Sequence, residues 1–252
     1  MLLTIDVGNT NTVLGLFDGP DLVQSWRIKT DPQTTADEMI LTFRGLLAGQ
    51  PPLTGIALCS TVPAVLHEMR LMLDRYFSAV ETVIVEPGVR TGVPVVTDNP
   101  REVGADRIVN TLAVFERYGG PAIVVDFGTS TNLDVVSAKG EFLGGALAPG
   151  IQISLDALAQ RAAQLRKVEI IRPRSPIGRN TVEALQSGAL YGFAGQVDGL
   201  VRRISAELGD VEAVVATGGL AEIVVPESET ITDHDPYLTL HGLQLVFERN
   251  RE

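Results

Sequence analysis

A chain of 252 residues, 45% hydrophobic and 20% charged, has room for one large or two modest domains with real cores. Its net charge of −11 and scattered Lys and Arg exclude the basic footprint that nucleic acid or an anionic membrane requires, so an anionic substrate must be met by local N–H groups, cations or single arginines. One cysteine (Cys59), histidines only at 67, 234 and 241, no basic leader and no apolar run of spanning length exclude a disulfide framework, a thiolate metal site and a membrane span, with the cytoplasm as the default location.

Leu2 to Gly15 (LLTIDVGNTNTVLG) reads as a strand that delivers Asp6 into a turn of Gly8, Asn9 and Thr10, with Thr12 to Phe17 returning as a second strand. Such a hairpin can hold polyphosphate oxygens on N–H and hydroxyl donors while Asp6 holds a magnesium ion directly or through water; the alternative is an ordinary hairpin. Asp18-Gly19 marks a turn and Leu22 to Ile28 a third strand. Thr35 with Glu38 has capping-box spacing for a helix whose apolar face is Met39, Ile40, Phe43, Leu46 and Leu47. A buried strand over Gly55 to Ser60, a helix over Ala64 to Tyr76 and a strand over Val80 to Val85 continue an α/β grammar.

Asn99-Pro100 and Glu102 signal a helix start, and Gly104 lets the chain bend before a longer helix through Ile108, Leu112 and Phe115. Asp106-Arg107 at its start is either a surface pair or cap, or a general base beside an anion-binding guanidinium. Tyr118-Gly119-Gly120-Pro121 is the expected boundary between domains 1–118 and 119–252. Directly after it, Ala122 to Val136 (AIVVDFGTSTNLDVV) repeats the first hairpin at an offset of 120, matching Asp126 to Asp6, Gly128 to Gly8 and Ser130 to Thr10. The repeat predicts an internal duplication with a nucleotide cleft shared by two halves. It is similar to the pattern of the actin, Hsp70 and sugar kinase superfamily.

The glycines of Glu141 to Ile151 imply close backbone packing, and Ile151 and Gln152 at the Lys and Ser/Thr places exclude a Walker cradle. Helices are predicted over Ser154 to Leu165 and from Gly178-Arg179-Asn180-Thr181 through Leu190. Val211 to Ala216 is a strand running into Thr217-Gly218-Gly219-Leu220, which is either bare backbone for a base or ribose, or a plain turn. Leu238 to Asn250 closes as an amphipathic helix that can dock on the first domain through Leu240, Leu243, Leu245, Val246 and Phe247.

Asp6-Val-Gly-Asn-Thr10 with Gly15, Gly104-Ala-Asp-Arg107, Asp126-Phe-Gly-Thr129, Asn180-Thr181 and the closing Leu238 to Asn250 segment together resemble the type III pantothenate kinase family, also described as the Bvg accessory factor family. The resemblance implies duplicated actin-like (ribonuclease H-like) ATPase domains and transfer of the ATP γ-phosphoryl group to pantothenate, giving 4′-phosphopantothenate for coenzyme A synthesis. It implies ATP contacts at Asp6, Val7, Gly8, Asn9, Thr10, Asn11, Thr12, Val13 and Thr129. Pantothenate contacts fall at Gly104, Ala105, Asp106 and Arg107, with Asp106 the catalytic base and Arg107 on the carboxylate. Asp126 binds K+ or NH4+, Mg2+ accompanies ATP, and Thr181 touches pantothenate across a homodimer interface. Thr97, where many relatives have an aromatic residue, and Asn132, where they have threonine, depart from the family pattern. A regulatory protein on the same scaffold, and a sugar kinase or polyphosphate-type phosphatase, are the competing expectations; neither needs Asp6, Asp106, Arg107 and Asp126 together.

Overall fold

The computed structural model describes residues 1–162 and 168–251. The chain divides into two compact units: Met1–Val93 with Asn99–Ala113 and Thr239–Glu252, and Pro94–Asp98 with Val114–Leu238.

In the first unit, β1 (Leu2–Val7) and β2 (Asn11–Asp18) form the predicted hairpin, followed by β3 (Asp21–Lys29), α1 (Ala36–Leu46), β4 (Gly55–Ser60), α2 (Pro63–Tyr76) and β5 (Glu81–Ile84). The sheet order is β3-β2-β1-β4-β5, antiparallel within the hairpins and parallel from β1 to β5. α1 starts where the sequence predicts, because Glu38 N–H donates to the Thr35 hydroxyl while Thr35 N–H donates back to the Glu38 carboxylate at 2.9 Å. Met39, Ile40 and Phe43 of α1 and Val65, Met69 and Met72 of α2 bury one face of the sheet against Leu3, Ile5, Val7, Ile56 and Leu58.

A 3-10 turn over Pro100–Glu102 precedes α3 (Ala105–Tyr118), which the unit boundary crosses after Ala113. The other face of the first sheet carries Ala57 and Cys59 and is covered by Val109 and Leu112 of α3, together with Leu243, Val246 and Phe247 of the closing helix. Gly55 is required beneath that helix, since a Cβ there would lie 2.1 Å from the Phe247 ring.

The second unit repeats the plan with β6 (Ala122–Phe127), β7 (Ser130–Val136) and β8 (Phe142–Pro149), then α4 (Ile151–Arg161), α5 (Thr181–Leu208), β9 (Ala213–Thr217), α6 (Ala221–Val224) and β10 (Asp233–His234); α7 (Leu238–Asn250) closes the chain. Its order, β10-β9-β6-β7-β8, mirrors the first sheet strand for strand. The glycine-rich Glu141 to Ile151 segment contains strand β8, and its backbone packing is close: a Cβ on Gly145 would lie 1.7 Å from the Leu133 carbonyl oxygen. α4 begins three residues before the predicted Ser154, and positions 163–165 of that prediction lie outside the described residues. α5 is buried through Ala189, Leu190, Ala194, Val197 and Val201 against Ile123, Val125, Phe127 and Leu133. No helix among the described residues is long and apolar enough to cross a membrane.

Candidate active site

β1 ends at Val7, and the chain turns over a loop held by short polar contacts. Gly8 N–H donates to the Asn11 carbonyl at 3.1 Å, Thr30 N–H to the Thr10 carbonyl at 3.0 Å, and the Thr30 hydroxyl to the Gly8 carbonyl at 2.7 Å, with the Thr12 and Thr30 hydroxyls 2.9 Å apart. These ties clamp the loop from the β3 side and leave Asn9 and Thr10 exposed at its tip. The arrangement suits backbone and hydroxyl recognition of phosphate oxygens.

Asp6 stands at the root of this loop, opposite Cys59 on β4, whose buried thiol donates to Asp6 Oδ1 at 3.4 Å. Asp6 is only partly open to solvent, and burial together with repulsion from Asp106 pushes its carboxyl up to about 7 against the opposing pull of the Cys59 S–H and the Arg27 charge. Burial likewise pushes the Cys59 thiol up, which keeps it a neutral donor.

Asp106 lies in the first turn of α3, where the helix N-terminus favours negative charge. Burial raises its carboxyl, while the Arg107 N–H and the Arg107 charge pull the other way. Its Oδ1 would lie 2.5 Å from a Cβ on Gly104, so glycine there leaves the carboxylate its place. The first unit therefore sets two half-buried acids, from the end of one strand and the start of one helix, within repelling distance of each other. A carboxylate in such surroundings is a better proton acceptor than one in water.

In the second unit Asp126 occupies the matching place on β6, opposite Asn132 on β7 and Thr217 on β9. The repeat is not in constant register. Val7 pairs with Thr12 but Phe127 with Thr131, so the second loop is one residue shorter; Gly128 N–H closes it on the Ser130 carbonyl at 3.0 Å. On the returning strand the offset is therefore 119, and Ser130 corresponds to Asn11 rather than to Thr10. Gly150 N–H donates to the Thr129 carbonyl at 3.1 Å, which brings the start of α4 onto this loop. Thr217-Gly218-Gly219-Leu220 is a strand-to-helix turn pressed against the β6 end: Gly218 has φ +92°, and a Cβ there would lie 2.4 Å from Asp126 Oδ1. Asn132 is 8% exposed, and its Oδ1 has no hydrogen-bonded partner among the described residues. Thr181 is exposed at the first position of α5, just after Asn180, whose side chain caps the helix by accepting from Glu183 N–H at 2.9 Å.

Cys59 is the contact to Asp6 that the sequence does not single out as a site residue. A parallel pairing such as Asp6 with Cys59 joins positions 53 apart, and no local periodicity reports it.

Two mixed sheets of the same strand order, each with an acid at the end of its central strand, define the two-domain fold of actin-like ATPases and sugar kinases. Over 99% of this chain and 95% of that one, it superposes at TM-score 0.59 and 14% identity on the activator of the 2-hydroxyisocaproyl-CoA dehydratase from Clostridium difficile, solved with bound ADPNP. A structure from Campylobacter jejuni, described as a conserved putative Baf family transcriptional activator, gives TM-score 0.57 at 18% identity over 98% of each chain. In sequence, residues 2–203 match the type III pantothenate kinase family. The type III pantothenate kinase of Frankia alni is 69% identical over 250 residues, 99% of this chain and all of that one. The chain belongs to the type III pantothenate kinase family. It is a kinase that uses ATP, with a divalent metal, to phosphorylate pantothenate to 4′-phosphopantothenate in coenzyme A synthesis.

Proposed function

We propose that Asp106 is the general base of this kinase and that the loop from Asp6 through Val7, Gly8, Asn9, Thr10, Asn11 and Thr12 to Val13, with Thr129 of the second hairpin, binds ATP. The observation that carries this is the acid pair: Asp106 at the N-terminus of α3 is raised by burial, and its charge acts on the phosphate-type loop's own acid, Asp6. Gly104, Ala105 and Arg107 complete the pantothenate contacts, Arg107 taking the carboxylate. Asp106 accepts the proton of the pantothenate hydroxyl as that oxygen attacks the γ-phosphorus in line and the bond to the ADP bridging oxygen breaks.

A magnesium ion that accompanies ATP is carried mainly by the phosphates and needs few carboxylates from the protein. Asp6 takes one such role: burial and the Asp106 charge disfavour its ionised form, and a bound cation would offset both. When bound, the ion offsets the charge of the phosphates. K+ or NH4+ is assigned to Asp126, and Asn132 Oδ1 beside it is an oxygen donor of the kind a hard cation takes. The two halves, 1–118 and 119–252, are read as a duplicated unit whose last helix returns to the first half, supported by the shared strand order. The enzyme is cytoplasmic and a homodimer, with Thr181 reaching the partner's pantothenate. Gly188 and Gly192 leave open space beside α5, whereas Ala189 faces the unit's own core.

Replacing Asp106 by Asn tests the central assignment. The variant is expected to fold, to bind ATP, and to lose on the order of 10²-fold or more in kcat. Turnover close to the wild type would remove Asp106 from the role.

A further inference from the structure

The register of the first sheet draws four side chains into one line. Arg27 on β3 stands opposite Val13 on β2, Val13 opposite Asp6 on β1, and Asp6 opposite Cys59 on β4. Residues directly opposite across neighbouring strands project from the same face. Arg27 therefore shares the face of Asp6, two strand spacings or about 10 Å away along the backbone, a span that an extended arginine can largely cover. Its charge is felt at the Asp6 carboxyl.

Some other arginines of this protein are tied to acids. Arg70 pairs with Glu86, Arg75 with Asp37, Arg117 with Asp235, Arg174 with Glu183 and Arg202 with Glu229. Arg27 is exposed and has no hydrogen-bonded or ion-paired partner among the described residues, although a half-buried acid lies in its own row. Guanidinium donors left open beside the strand that leaves a phosphate-type loop, in a chain of net charge −11, are placed to meet an anion.

We propose that Arg27 is a phosphate-binding residue of the transfer step, its guanidinium donating to oxygens of the γ-phosphoryl group as that group moves from ATP to pantothenate. The inference rests on the assignment of the Asp6–Val13 loop to ATP. During transfer the pantothenate oxygen bonds to the γ-phosphorus, the bond to the bridging oxygen breaks with its electron pair leaving on ADP, and Asp106 takes the hydroxyl proton. Negative charge redistributes over the transferred group's oxygens and the bridging oxygen, and a guanidinium that engages them in the transition state stabilises it there more than in bound ATP. The anion is phosphate rather than the pantothenate carboxylate, because Arg27 is reached through Val13, on the strand that leaves the loop, whereas Arg107 belongs to the helix that carries the base.

The test compares full-length wild type, Arg27→Gln and Arg27→Lys. Arg27→Gln is expected to lose about 10²-fold or more in kcat, with the KM for pantothenate and the Kd for ADP changed by less than about 3-fold, and Arg27→Lys to keep part of the lost rate. Aluminium fluoride with pantothenate should tighten ADP binding to the wild type and not to Arg27→Gln, a difference that a purely structural arginine would not produce. A kcat within about 3-fold of wild type, or an effect confined to the KM for pantothenate, would overturn the proposal. Asp6→Asn is the control for the underlying reading: if it binds MgATP as the wild type does, the loop assignment fails. If it loses MgATP while Arg27→Gln behaves as wild type, only the present inference fails.

Discussion

Asp6 shows how one burial decision couples the chemistry of this enzyme to its stability. Its carboxyl holds a proton up to about pH 7 in the folded chain, against an ordinary value of 3.8. Between those two values the folded state binds more protons than the unfolded one, so stability falls as pH rises through that window and levels off above it. The groups acting on Asp6 are Asp106, Cys59 and Arg27, and the positive charge of Arg27 does not cancel the burial cost. In nucleotide-free, metal-free buffer, Asp6→Asn is therefore expected to raise the melting temperature relative to wild type at pH 8, with the gain shrinking toward pH 5. Melting curves at the two pH values check this; an equal difference at both would mean that Asp6 is not raised. In activity the sign is opposite in use. The KM for MgATP should climb below about pH 7, where the metal must compete with the proton.

At the scale of elements, much was legible because the signals were local. The hairpins announce themselves as apolar runs ending in Asp-x-Gly, α1 by its capping box, and α3 by Asn99-Pro100 and Gly104. What was not legible depended on pairing at a distance. The one-residue shortening of the second loop is set by the Phe127–Thr131 pair, and the glycine-rich Glu141 to Ile151 segment contributes strand β8 because β7 accepts it edge to edge. The Asp6–Cys59 and Val13–Arg27 pairings likewise come from sheet register, which the order of residues along the chain does not display. The turn after β9 offers a test at this scale. Gly218→Ala must hold φ +92° with a Cβ 2.7 Å from the Phe127 backbone, and is expected to destabilise the protein by about 2 kcal/mol or more. The same Cβ lies 2.4 Å from Asp126 Oδ1 and displaces that carboxylate. If Asp126 holds the monovalent cation, the surviving folded fraction should also lose stimulation by potassium over sodium; stimulation intact in folded Gly218→Ala would put the cation elsewhere.

At the scale of the whole molecule, the question is whether one chain suffices for one site. Thr181 is exposed at the start of α5 and Asp106 is half-buried at the start of α3, in different units of the chain. If Thr181 serves the partner's pantothenate, a two-fold dimer has two equivalent sites, each using Asp106 and Arg107 from one protomer and Thr181 from the other. Thr181→Phe places a bulky ring in the pocket, and Asp106→Asn removes the base, so each homodimer should be inactive at both sites. In a mixed dimer the defects fall together: one site carries both and the other carries neither. Mixing the two variants under conditions of subunit exchange is therefore expected to restore up to about half the wild-type activity per mixed dimer. Exchange can be followed by differential tagging and native mass spectrometry, which also reads the oligomeric state directly. Folded variants that demonstrably exchange yet recover no activity would confine Thr181 to its own chain's chemistry or remove it from the site.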